Sequence, residues 1–210
     1  MPSHVLPRLL TVALILTCTA TAVAAAFAII APLVGQPLIT GFPVACVDAA
    51  NSVCALEREA GAAQLVLDRG EIVLPASSLD ATVLRVVDVA ITGGFAIVLI
   101  WLLRRFVRDA ASGRPFTAGS THSLARAGVL LMAYPVWQLL RSALWQMSVI
   151  AHQGEQVTLI HTLAPAPDHA ALRLLPEFSP EAVIAGLILL VVSRAFGVGV
   201  EVQRDSDEVI

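Results

Sequence analysis

The chain of 210 residues has no lysine; its 13 basic residues are all arginine. Charged residues make up 14% and aromatic residues 5%, where a soluble domain carries about 25% charge. So little charge excludes a disordered chain, which stays open only when polar residues dominate. A net charge of −3 excludes a strongly basic nucleic-acid binder. No GxSxG, HExxH, P-loop or Rossmann fingerprint occurs, so those catalytic and nucleotide-binding chemistries lack a footing. The missing lysine, taken with the alanine content, points to a GC-rich bacterial genome.

Apolar residues stand where the charge is missing. They make up 57% of the chain, and the mean hydropathy is +0.82. A 22.1 kDa globule has no interior large enough for them, so a soluble enzyme with one core is excluded and lipid is the expected solvent. Crossing ~30 Å of hydrocarbon takes ~20 helical residues. Four stretches suffice: residues 9–34, without a charge; 81–103; 124–150, interrupted by Arg126, Gln138, Arg141 and Gln146; and 181–200, interrupted by Arg194. They are read as helices because lipid offers the backbone no hydrogen-bond partners. Ala24, Ala25 and Ala26 resemble a signal-peptidase site. A signal core runs only ~7–15 residues, however, so span one is expected to stay as an anchor.

Arginine placement gives the direction. The turn at 104–123 holds Arg104, Arg105, Arg108 and Arg114 against Asp109, a net charge of +3. The loop at 35–80 has two arginines against six carboxylates, net −4, and the loop at 151–179 has one against three, net −2. Positive charge stays inside. The turn is therefore expected in the cytoplasm, both loops outside, and both termini, with the tail at 201–210, inside. The expected whole is a single membrane domain over residues 1–210: an all-α four-helix transmembrane bundle in the bacterial cytoplasmic membrane.

The loops have some pattern of their own. Residues 37–44, 71–74 and 157–163 are β-like and bounded by glycine and proline, which predicts a small extracytoplasmic β-containing cap. Cys46 and Cys54 share the first loop, where a disulfide would persist; the alternative is two free thiols. His152, His161 and His169 share the second loop, but their spacings match no metal-ligand pattern. No metal and no cofactor is expected. Asp80 suits the N-cap of span two, and Ser179-Pro180-Glu181 opens span four. Pro135 is expected to bend span three.

Charge inside lipid is costly, so the polar residues of the spans are the first candidates for a role. Arg85 and Asp88 share one face of span two, and Gln138 and Arg141 share one face of span three. Asp88 and Arg141 both lie ~9–10 Å in from the outer ends of their spans. An ion pair of Asp88 with Arg141, or with both arginines, fixing which helix faces meet, is the expected role of this intramembrane cluster, unless Arg85 only extends to the outer interface. A polar path for transport is the alternative.

Gly113 and Pro115 end one helix in the turn, and Thr117 can cap the next. Its arginines suit lipid headgroups or an acidic cytoplasmic partner. Residues 104–117, with their Gly113-Arg114-Pro115-Phe116-Thr117 core, resemble the signature turn of the bacterial domain-of-unknown-function 2975 family. The ending is similar too: Phe196, Gly199, Val202, Asp205, Asp207, Ile210. After Thr117 the sequence departs from that pattern, with Ala118-Gly119-Ser120. Members of the family are often encoded beside small helix-turn-helix regulators. The resemblance implies a non-enzymatic regulatory or sensory protein that holds such a regulator at the membrane without itself touching nucleic acid. Arg104, Arg105, Arg108, Arg114, Phe116, Glu201, Asp205 and Asp207 are then the contact residues. A small transporter or channel component is the competing expectation, and self-association into a homo-oligomer is compatible with either.

Overall fold

The computed structural model describes residues 5–36, 38–46, 69–74, 79–112, 118–151, 158–160 and 171–207. Its elements are, in chain order, α1 (Val5–Leu33), β1 (Leu38–Cys46), β2 (Arg69–Leu74), α2 (Leu79–Ala111), α3 (Ala118–Ala151), β3 (Thr158–Ile160), β4 (Ala171–Leu174) and α4 (Pro180–Asp207). All four helices are long and apolar enough to cross a membrane. Val12, Leu16, Val23 and Phe27 of α1, Val136 of α3 and Val191 of α4 are exposed, as side chains are when lipid is their solvent. The chain is a multi-pass membrane protein.

The helices outrun the apolar stretches. α2 has 33 residues and α3 has 34, about 50 Å each against ~30 Å of hydrocarbon. The turn expected at 104–123 is correspondingly shorter: α2 continues to Ala111 and α3 begins at Ala118. Likewise α4 continues to Asp207, through most of the expected tail. Arg104, Arg105, Arg108, Ala110 and Ala111 bring charge or little hydropathy yet favour a helix, so leaving the apolar run does not end α2. Gly113, Pro115 and Thr117 lie outside the described residues. Asp80 is not an N-cap, because α2 opens one residue earlier; it is an acid in the first turn. There it faces the positive end of the helix dipole. α4 does open at Pro180, with the Ala182 amide donating to the Ser179 carbonyl at 3.2 Å. α3 passes through Pro135 as one helix.

The strands form one sheet in the order β2-β1-β4-β3. β1 runs antiparallel to β2 from Leu38↔Leu74 to Pro43↔Arg69, then antiparallel to β4 from Val44↔Leu174 to Cys46↔Leu172. The change of partner falls at Pro43, which has no N–H for a ladder. β3 pairs with β4 in parallel. β4 reads Ala-Leu-Arg-Leu and, without β-branched residues, was not expected as a strand.

The chain forms two compact units. The first comprises Met1–Ala26, Asp88–Trp137 and Ser179–Ile210; the second comprises Phe27–Val87 and Gln138–Phe178. In the first, α3 and α4 meet at two glycines. A Cβ on Gly186 would stand 2.8 Å from the Gly128 carbonyl oxygen, and one on Gly128 would stand 2.9 Å from the Gly186 carbonyl oxygen. Close approach of this kind is how helices associate where no water drives them together. α1 and α2 meet at Gly93, where a Cβ would collide with the Thr21 side chain. In the second unit the core is Ala81, Trp145, Val149 and Leu174, with Leu84 and Ile150 packed against it. The last residue of β4 is thereby fastened between the start of α2 and the end of α3.

Candidate functional site

Polar side chains inside apolar helices must find partners locally. α1 solves this within itself: Thr11 and Thr17 donate to the Pro7 and Ala13 carbonyls, each at 2.8 Å. Thr19 donates to the Leu16 carbonyl at 2.9 Å. The hydroxyls spend their protons on the preceding turn and leave the helix surface apolar.

Asp88 is solved differently. It is buried, 5% exposed, on α2 of the first unit. The Thr92 hydroxyl, one turn on, donates to its Oδ1 at 3.2 Å, and the Trp137 indole N–H of α3 donates to Thr92 Oγ1 at 3.2 Å. Trp137, Thr92 and Asp88 form a chain of donors ending on the carboxylate. Beside it, Phe95 and Tyr134 meet edge to face at 5.6 Å. Thr92 shares the face expected for Arg85 and Asp88; Trp137 was not singled out by the sequence pattern.

Gln138 and Arg141 of α3 lie in the second unit. Gln138 is buried and Arg141 half-buried. Arg141 Nη1 pairs with Glu177 Oε2 at 3.2 Å, a partner the sequence pattern did not assign. The same segment is held again through its backbone, the Glu177 amide donating to Ser142 Oγ at 3.4 Å. Gln146 Nε2 donates to that hydroxyl at 3.3 Å, and Ser148 Oγ donates to Asp80 Oδ2 at 3.2 Å. Hydrophobicity hid part of this polar seam: Ser142 interrupts an apolar run without charge, and Glu177 lies outside every apolar stretch. Arg85 is half-buried on α2.

At the end of the first unit where α2 stops, α2 presents arginines. Arg104, Arg105 and Arg108, with Trp101 and Asp109, line an open recess of about 220 Å³. Arg105 and Arg108 are exposed. Arg104 is half-buried, because its Nε donates to Thr11 Oγ1 of α1 at 2.9 Å. Phe106, between them in sequence, meets Phe196 of α4 edge to face at 5.8 Å. That contact seats the last turns of α2 beside α4, which continues through Glu201 and Asp205 to Asp207.

Arg114 and Phe116 lie outside the described residues. So do Cys54 and the three loop histidines His152, His161 and His169. Cys46 ends β1, and its pairing with Cys54 therefore falls outside as well. Cys18 is an exposed free thiol on α1. Among the described residues no group of three or more His, Cys, Asp or Glu is placed to hold a metal ion. Searches of protein-family models, curated proteins and solved structures give no match to this chain.

Proposed function

We propose that this chain is a non-enzymatic protein of the bacterial cytoplasmic membrane that holds a small helix-turn-helix regulator at the inner membrane surface. The arginine recess at the end of α2 carries this reading. Its arginines stand on helix that continues past the apolar run 81–103 to Ala111, about 12 Å of extension. A soluble partner can reach such a surface, and exposed arginines attract an acidic one. α3 begins and α4 ends at the same end of the first unit, so three helices contribute extensions there. The resemblance of 104–117 and of the chain ending to the domain-of-unknown-function 2975 family supports the same reading. Both termini are then cytoplasmic, and the β1–β4 sheet is the extracytoplasmic cap, positioned to receive a stimulus.

The test is purification from cells of the full chain and of a chain ending at residue 200, alongside the Arg105→Glu, Arg108→Glu double variant. A DNA-binding protein that accompanies the full chain and is lost from both variants supports the reading. Recovery of the same partners from all three overturns it. The Trp137–Thr92–Asp88 chain, which ends on a buried carboxylate, favours a second reading, a small transporter. Flux in liposomes that disappears in Asp88→Asn would establish that one instead. A cysteine placed at Ser112 that reacts with an impermeant reagent on intact cells inverts the orientation and removes the cytoplasmic reading.

A further inference from the structure

A second cavity lies in the first unit, between the start of α3 and the middle of α4. It measures about 520 Å³, and its wall includes Thr121, His122 and Ala125 of α3 with Leu190, Arg194 and Gly197 of α4. Ser193 Oγ of α4 donates to the Thr121 carbonyl of α3 at 2.9 Å, which fixes the separation of the two walls. His122 and Arg194 are both exposed at the mouth. Ala125 and Leu190 lie about 6 Å deeper along their own helices than Thr121 and Arg194. The cavity is thus cationic at one level and apolar one helical turn further in.

We infer that this cavity binds the headgroup of an anionic glycerophospholipid. Arg194 and His122 take the phosphodiester, and an acyl chain lies over Ala125 and Leu190. Three observations point there. First, Arg194 interrupts the apolar run of α4. A cation in such a run is costly unless an anion meets it, and a lipid phosphate at the membrane surface is within reach of an arginine that extends toward it. Second, a guanidinium offers two parallel N–H donors that match two phosphate oxygens. Third, the ammonium of a zwitterionic headgroup would stand beside the Arg194 guanidinium and be repelled, where a net-anionic headgroup is attracted. The volume also exceeds what a bare phosphate ion fills. None of this depends on which side of the membrane the cavity faces, or on a protein partner.

The experiment is native mass spectrometry of the delipidated full chain in detergent, titrated with phosphatidylglycerol, phosphatidylcholine of the same chains, and glycerol 3-phosphate. Phosphatidylglycerol is expected to bind about tenfold more tightly than phosphatidylcholine, because the choline ammonium is repelled by Arg194 and the glycerol is not. Arg194→Gln should remove that preference, and His122→Gln should reduce it. Gly197→Leu separates binding from folding. A Cβ at Gly197 meets nothing within 4 Å, so leucine there fills the cavity without displacing a wall and should abolish the preference with the helix content unchanged. Equal binding of the two lipids, or full binding by a folded Gly197→Leu chain, overturns the proposal. So does glycerol 3-phosphate binding as tightly as the lipid, which would make the site one for a soluble phosphate.

Discussion

α1 and α3 are both long enough to cross a bilayer, yet they use their side chains in opposite ways. α1 buries two residues, Ala28 and Ala31. Thr11, Thr17 and Thr19 close on its own carbonyls, Thr11 also accepting from Arg104 of α2. α3 buries Ser120, Ser123, Leu124, Ala127, Gln138, Ser142, Trp145, Gln146 and Val149, and several of its polar groups reach other segments. Entry into lipid and assembly within it are therefore separate properties of a helix. Apolarity supplies the first. Small and polar residues supply the second, because lipid already satisfies apolar surface and gives helices no reason to prefer one another.

Substitutions along α3 and α1 can break that contrast. The largest effect is expected from Trp145→Ala, which empties the core shared by α2, α3 and β4; about 3–5 kcal/mol of stability should be lost, read by unfolding of the full chain in detergent. A loss no larger than that of a surface substitution would show that α3 is not the packed helix. Next comes Gly186→Leu, where the new side chain enters space held by the Gly128 carbonyl and Met132. Overpacking of this kind costs about 1–3 kcal/mol, and the same readout with Gly94→Leu, whose Cβ meets nothing within 4 Å, should stay near wild type. Arg141→Ala removes a partly exposed ion pair and should cost under about 1 kcal/mol, an effect that fades with added salt. Val23→Ala on α1, at a site 68% exposed, should leave stability unchanged; a loss comparable to that of Trp145→Ala would mean that α1 is packed against a neighbour there.

How much could be read in advance follows from the same division. The four crossing helices announce themselves because hydropathy is a local property, summed over ~20 neighbours in sequence. Their true ends do not, since Arg104–Ala111 changes polarity while keeping much of its helix propensity, and α3 opens on Gly119, Ser120 and Thr121, which are weak helix formers. Asp88, Gln138 and Arg141 were conspicuous as polar residues in apolar runs. Their partners were less visible: Thr92, itself bonded by Trp137, for Asp88, and Glu177 for Arg141. The cavity between α3 and α4 was the least legible feature. His122 and Arg194 lie far apart in the chain, and the only sign was an arginine interrupting the last apolar run. Proximity between helices depends on where glycines permit contact, and no single-helix pattern reports it.

The paired glycines of α3 and α4 have one more consequence. With each backbone carbonyl set against the other glycine's missing methyl, the two rods can neither slide nor roll without collision. Any movement left to them is a scissoring about that crossing, like blades about a rivet. Descendants of the same ancestor should then keep glycine at positions 128 and 186 even after the segments outside the bilayer have drifted beyond recognition.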